Sequence, residues 1–588
     1  MGNYNWNSYD EVIDNLSFNW YLNDYWTVKG QFSVTKKYSK SEKFIDPLSS
    51  KTSVTGSKDN NLAGDLYTTN GESLDWNSNA FLYYTRSFNK QHNLNVSAGW
   101  EAASGTTEST NAHYRGFPSG EFHSLNYAAE VYKKPTRTEN TTRRVSVLAS
   151  ANYTWNDIYL VDASVRFDGS SEFGANQKWA PFFSGGLGVN IHNYDFFKSN
   201  GYINKLKLRA SYGRTGKVNF PAYAATTMYE TLFDEWYITG YGAVLKALGN
   251  KDLTWEKTDK LSVGIETKTF HDRLTVDFEY YYNKTIDLVN DVTLSQTSGF
   301  STYKDNMGQV ANKGVELKLR ADIYRDRNWN VALWGNMAHN KNEILKISDS
   351  QKAYNERVAA YYKNEALYQE TLGLSHGAEY SVPLPQYEEG ASLTSIWAVR
   401  SLGIDPTTGK EIFLNRDGSI ADKWNAAQEV VVGNTEPKCS GAFGLNLSYK
   451  NWTLFASFLY EWGGQEYNQT LVNNVENADL VNKNVDLRVL TDRWKKPGDI
   501  AQFKDIKDRG MTTLPTSRFV QDKALVRLNS LNVSYDFNRD WIKKHLRMNL
   551  LRLEASTSDL INWSSIKQER GLSYPRSWKV EFSLKAQF

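Results

Sequence analysis

One cysteine, Cys439, stands in a chain of 588 residues. A single thiol excludes a disulfide framework and any cysteine-built metal centre. Proline is scarce, at 12 residues, and no Gly/Ser-rich or charge-rich tract interrupts the chain, so nothing marks a linker between domains. Long apolar runs are absent. Mean hydropathy is −0.59, and no stretch approaches the ~18 apolar residues of a membrane-spanning helix. That excludes helical spans and leaves spans built from half-apolar strands open. Charge of one sign is lacking too. A formal net charge of +2 provides no field that would select nucleic acid or an anionic surface.

Signatures of catalysis are also missing. The eight histidines (His92, His113, His123, His192, His271, His339, His376, His545) include no pair at metal-binding spacing. There is no Gly-x-Ser-x-Gly elbow. Residues Gly213 to Lys217 resemble a phosphate loop, but Val218 stands where Ser or Thr must bind magnesium. Gly185-Gly186-Leu187-Gly188 sits in a strand pattern without the helix of a dinucleotide turn. No catalytic residue, metal or cofactor is expected. The opening Met1-Gly2-Asn3-Tyr4-Asn5-Trp6 has no basic region followed by an apolar core, and Trp6 occupies the place myristoylation reserves for Ser or Thr.

What the chain does have is aromatic rings, 14% of its residues, and a period of two. At the C-terminus Trp578, Val580, Phe582, Leu584, Ala586 and Phe588 alternate with Ser577, Lys579, Glu581, Ser583, Lys585 and Gln587. Alternation puts one set on each face of a strand. The same pattern runs through Leu16, Phe18, Trp20 and Leu22, then back from Trp26 to Val34 after Asn23-Asp24. It returns in Val145 to Trp155 and Tyr159 to Phe167, around Asn156-Asp157, and in hairpins at Leu261–Tyr282, Val315–Met337 and Phe443–Tyr460.

Connections alternate as well. Short ones lie near Asn23, Lys90, Asn156, His271, Asp326 and Asn451. Long ones are expected at Lys36–Asp75, Glu101–Thr142, Thr215–Thr258, Lys341–Pro437 and Gly463–Gln521. Outer-membrane barrels sort loops this way, short inside and long outside, and sandwiches or propellers do not. The fold class expected is therefore all-β: an antiparallel transmembrane barrel with about 17 strands present, apolar face to lipid and polar face to a wet lumen. Bacterial single-chain barrels have even strand numbers and must be exported. An odd count without an export signal predicts that an N-terminal portion is missing.

Several segments resemble the SusC/RagA group of TonB-dependent outer-membrane transporters. They are Arg166-Phe-Asp-Gly-Ser-Ser-Glu-Phe-Gly174 with Lys178-Trp-Ala-Pro-Phe-Phe183, then Leu206 to Gly216, then Leu253-Thr-Trp-Glu-Lys-Thr258 with Asp277 to Thr285. Thr297-Ser-Gly-Phe300, Asn312 to Leu317, Gly403 to Gly409 and the C-terminal strand follow in order. The resemblance implies a barrel of about 22 strands, of which residues 1–588 would be the C-terminal portion, without signal peptide, plug or first strands. It implies uptake of a glycan or peptide, a SusD-like lipoprotein lid, and the TonB complex as a partner through the missing plug region. It also implies the barrel-assembly machinery as a partner, with Trp578, Val580, Phe582, Leu584 and Phe588 as the C-terminal strand signature. An outer-membrane barrel enzyme and an adhesin or structural barrel remain as rival readings.

Candidate ligand contacts concentrate in the 215–258 connection: Tyr229, Phe233, Asp234, Glu235, Trp236, Tyr237 and Tyr241. Flat rings stack on the C–H faces of sugars, carboxylates accept from hydroxyls, and such contacts favour loops on a rigid scaffold. The competing reading is that these rings pack the loop against its neighbours. A second stripe, Tyr354, Val358, Tyr361, Tyr362, Leu367 and Tyr368, has helical spacing and is expected to pack a short helix on the rim, the alternative being that it docks the lid or lines the binding cavity. Asp405-Pro406-Thr407-Thr408-Gly409 and Asp417-Gly418 read as turns of a hairpin.

Overall fold

The computed structural model describes residues 2–51, 62–198, 202–218, 220–293, 302–306, 308–349, 351–353, 355–356, 386–481, 485–510, 513–537, 539–567 and 578–588. The chain forms two compact units: Met1–Gly186 with Gly213–Lys257 and Leu294–Asn306, and Leu187–Tyr212 with Thr258–Thr293 and Met307–Phe588.

In the first unit, β1 (Tyr4–Tyr21), β2 (Trp26–Ile45), β3 (Asp65–Phe88), β4 (His92–Arg115), β5 (Glu130–Trp155) and β6 (Tyr159–Ser170) form an antiparallel meander. A separate hairpin of β9 (Met228–Tyr237) and β10 (Gly240–Ala247) also belongs to it, while β7 (Trp179–Asn190), β8 (Ile203–Lys217) and β11 (Glu256–Thr269) each contribute residues to both units.

The second unit continues with β12 (Leu274–Ile286), the short β13 (Val289–Thr293), β15 (Gln309–Arg325) and β16 (Trp329–Lys346); β14 (Thr302–Asn306) belongs to the first. A small sheet holds β17 (Ser395–Ile404), β18 (Glu411–Leu414), β19 (Ile420–Ala421) and β20 (Glu429–Asn434). The meander resumes in β21 (Cys439–Tyr449), β22 (Trp452–Tyr467), β23 (Val520–Asp536), β24 (Leu550–Thr557), β25 (Asn562–Ser564) and β26 (Val580–Gln587). From β12 through β15, β16, β21, β22, β23 and β24 to β26, each strand pairs antiparallel with the next. Among the described residues, eighteen strands are assigned to one sheet. Because β24 and β25 both lie against β23, they are two pieces of one strand, in accord with the expected count of about 17.

The faces are inverted relative to a soluble sheet. On β5, Ser146 is 4% exposed and its neighbour Val147 is 57% exposed. Val161, Val165 and Phe167 on β6, and Leu16, Phe18 and Trp20 on β1, are exposed as well. Trp578, Val580, Phe582, Leu584 and Phe588 are exposed too, on a last strand whose polar residues are exposed as well. Continuous apolar surface on this scale marks a face that meets something other than water. Two sheets with their greasy sides against each other would have buried it.

The short turns fall where expected. Asn89-Lys90 and Asn156-Asp157 hold positive φ at two successive residues, 50°, 57°, 53° and 56°, the left-handed turn conformation that matches the twist of the flanking strands. At the first turn the Asn23 side chain accepts from Tyr25 N and Trp26 N, at 2.9 and 3.0 Å.

Two long connections need correction. β2 runs to Ile45 and β3 begins at Asp65; β4 runs to Arg115 and β5 begins at Glu130. The residues assigned to loops at 36–45, 65–75, 101–115 and 130–142 are therefore strand. β3 alone has 24 residues, more than twice the ~9–11 that cross a bilayer. Past the apolar layer both faces meet water, so the apolar–polar alternation fades although the strands continue. Polar cross-strand pairs hold them there: Thr69 Oγ1 donates to Asn111 at 2.7 Å, Thr106 bonds Thr141 at 3.2 Å, and Lys36 pairs with Glu72. The first strand likewise starts at Tyr4, before Leu16, and the last spans Val580–Gln587, with Trp578 and Phe588 flanking it.

Candidate functional site

Polar residues line the face opposite the exposed apolar one. In the first unit Arg166 bonds Asp168 at 2.5 Å, Glu101 at 2.8 Å and the Ser146 hydroxyl at 2.8 Å. In the second, Arg209 joins Asp277 at 3.0 Å and Glu279 at 2.5 Å. Beside it, amides form a network: Tyr281 donates to Asn340, Asn340 and Asn342 donate to Asn312, and Glu436 accepts from both Asn340 and the Asn342 backbone. Charged and amide groups so placed can hydrate a passage and bond a polar solute; they contain no nucleophile–base pair.

The 215–258 connection is the β9–β10 hairpin. Tyr229 lies across from Leu245, Tyr237 from Gly240 and Tyr241 from Trp236. Between Trp236 and Leu232 the register slips, so the backbone of residues 233–235 bulges from the ladder. Tyr229, Tyr237 and Tyr241 are 69%, 59% and 57% exposed. The side chains of Phe233, Asp234, Glu235 and Trp236 lie outside the described residues, as do Tyr354, Val358, Tyr361, Tyr362, Leu367 and Tyr368 of the second stripe. At the base of the connection Tyr223 Oη accepts from Thr141 N of β5 at 3.0 Å.

The two longest connections of the second unit fold together, which sequence reasoning missed. Val399 N donates to Pro515 O at 3.1 Å, Ser401 N to Ser517 Oγ at 2.9 Å, and the Trp424 indole to Pro515 O at 2.8 Å. Leu471, Val472, Val475, Val489, Phe503 and Phe519 form its core. Arg518 joins Glu411 at 3.0 Å and Glu476 at 2.8 Å, with Glu476 fully buried. Burial opposes the guanidinium charge, but the two carboxylates outweigh it and hold Arg518 above its ordinary value. The expected turns are present inside this subdomain. Asp405 accepts from Thr407 N and the Thr408 hydroxyl, and Gly409, at φ +73°, lies against the Trp494 ring. Asp417 is used up in its own turn, accepting from both Ser419 N and Oγ.

Glu429 opens β20, 8% exposed, and accepts from the Gln386 amide. Burial pushes its carboxyl from 4.5 up to about 7, against the pull of Gln386 and Arg416. A raised carboxyl gives stability that is present below about 4.5 and lost as pH rises through about 7. Glu429→Gln is therefore expected to flatten the fall in thermal stability across that window. Fluorescence melts of the subdomain tryptophans at several pH values check it; an unchanged slope refutes it.

Comparison with known proteins places this architecture. The family described as "TonB dependent receptor-like, beta-barrel" matches residues 1–550. TonB-dependent receptor P39 of Formosa agariphila is 26% identical over 566 residues, covering 87% of this chain and 53% of that protein. TonB-dependent receptor SusC of Bacteroides thetaiotaomicron is 29% identical over 255 residues, 41% of this chain and 25% of that protein. Among solved structures, the RagAB peptide importer in its open-open state superposes with TM-score 0.82 at 21% identity, over 99% of this chain and 62% of the other. That likeness shows the fold. The chain spans about half the length of receptor P39. These relatives are receptors and transporters, not enzymes. An exposed apolar face, a polar opposite face and the match over residues 1–550 lead to one conclusion: the chain belongs to the TonB-dependent receptor-like β-barrel family of outer-membrane receptors.

Proposed function

We propose that this chain supplies the barrel wall and outer loops of a TonB-dependent importer that takes up a bulky nutrient, a glycan or a peptide. The observation that carries the reading is the inverted sheet, apolar outside and charged or amide-bearing inside, on a chain of this family. Similarity to SusC and to the RagAB peptide importer supports a surface lipoprotein of the SusD kind as lid over the loops. Energy coupling belongs to a plug and TonB-pairing region in the intact receptor, with signal peptide and first strands ahead of this segment. The barrel-assembly machinery receives the C-terminal signature at Trp578 to Phe588.

Tyr229, Tyr237 and Tyr241 present rings to incoming cargo, and Phe233, Asp234, Glu235 and Trp236 share that role. The test is uptake of labelled glycan and peptide pools by cells with and without the receptor gene. Loss of uptake of one pool on deletion supports the reading, and unchanged uptake of both refutes it. Replacing Tyr229, Tyr237 and Tyr241 together by Ala is expected to reduce cargo affinity about a hundredfold, at ~1 kcal/mol per stacked ring. Heat-modifiability on a gel should be unchanged. Full affinity in that variant would remove the hairpin from the site.

A further inference from the structure

A cavity of about 610 Å³ opens on the polar face of the first unit, bordered by β3, β4, β5, β6 and the outer end of β8. Its carboxylates are already engaged. Glu101 and Asp168 are both held by Arg166. Glu172, behind Arg144, accepts from that arginine at 3.2 Å and from the Ser170 hydroxyl at 3.1 Å.

Its donors are in excess. Lys217 lines the cavity, and no carboxylate among the described residues pairs with it. The Arg144 side chain is 57% exposed despite its ion pair. Trp255, 6% exposed, also lines the cavity, and its indole N–H meets no acceptor among the described residues. Folded proteins seldom leave such a donor unmet. The ring cannot swing to find one, because Phe173 stacks on it at 4.2 Å and Phe182 meets it edge-on at 5.4 Å. Gly216 makes room for that arrangement: a Cβ there would lie 2.1 Å from the Phe182 ring. The stretch that resembles a phosphate loop thus ends as strand β8, with Lys217 at the cavity's edge.

We propose that this cavity is a subsite for a carboxylate carried by the cargo, with the Lys217 ammonium, the Arg144 guanidinium and the Trp255 indole N–H as its donors. The proposal rests on the transport reading above. Charge-assisted bonds from these groups favour an oxyanion over a neutral hydroxyl. Asn77 and Asn79 add amides suited to polar groups beside the carboxylate. Two kinds of cargo carry one: an oligosaccharide of uronic acids, and a peptide with a free C-terminus.

The test is calorimetric titration of the intact receptor in detergent with four probes: a uronic-acid oligosaccharide, its neutral counterpart of equal length, a short peptide, and that peptide amidated at its C-terminus. One acidic probe should bind about tenfold or more tighter than its neutral partner, and the discriminating pair identifies the source. Lys217→Gln should remove most of that preference. Trp255→Phe, which keeps the ring packing, should weaken the acidic probe about threefold or more. Equal binding within both pairs, no binding of either acidic probe, or a preference undiminished in both variants overturns the subsite. Receptor-dependent uptake that persists without acid preference sinks the subsite alone; absence of any receptor-dependent uptake sinks the transport reading.

Discussion

Arg518→Met should open the loop subdomain of the second unit while the membrane strands stay folded. The guanidinium sits between Glu411 and Glu476, with exposures of 11%, 10% and 0% for the three side chains. Removing it leaves two carboxylates facing each other out of water. Breaking a buried pair in this way costs about 3–5 kcal/mol, far more than the pair contributes when intact. The damage should stay local, because the subdomain has its own core around Val472, Val475 and Phe519. Hydrogen exchange is the measurement. Amides of β17 and of residues 468–477 should exchange about two to four powers of ten faster, at 1.4 kcal/mol per tenfold, with β21 and β22 unchanged. Replacing all three groups by apolar residues should recover most of the loss, since no charge is then stranded. Equal exchange in Arg518→Met and the parent chain would mean that this ion cluster bears no strain.

Strands crossing the apolar layer were legible in the sequence because one face must be greasy and the other wet. Tyr159 to Phe167 and the final strand needed nothing more than counting by twos. Legibility ended where that demand ends. Residues 36–45 and 130–142 are strand, yet with water on both sides nothing forces alternation, and polar sequences such as Ser39-Lys40-Ser41-Glu42 look like loop. The loop subdomain was hidden for another reason. Its pairings join Val399 to Thr516 and Glu411 to Arg518, contacts more than 100 residues apart that no local period announces. The hairpin tyrosines were found by composition, because a loop rich in rings is visible in one sequence. Lys217 was noticed and set aside as a failed phosphate loop; only the unmatched indole of Trp255 beside it gives that lysine a context.

Val165→Arg separates a lipid-facing wall from a merely exposed one. Val165 is 59% exposed on β6, six residues beyond Tyr159 at the strand's start. At about 3.3 Å per residue and a tilt near 40°, that is roughly 15 Å from the turn, close to the middle of an apolar band ~25 Å tall. On a soluble surface the substitution would change stability by about 0.5 kcal/mol or less. In a bilayer an arginine at that depth costs about 2–4 kcal/mol. Arg166, the next residue, supplies the control that nature already built. One position on, the same side chain type points to the opposite face, where Glu101 and Asp168 receive it. Denaturant unfolding in lipid vesicles should therefore show Val165→Arg losing several times the stability that detergent-free surface arithmetic allows, with Val165→Leu near the parent value. A loss below about 0.5 kcal/mol would mean that the valine face meets water or protein instead. The arrangement of the whole chain as a membrane wall would then have to be abandoned, since Val147 and Phe167 are exposed on the same apolar face.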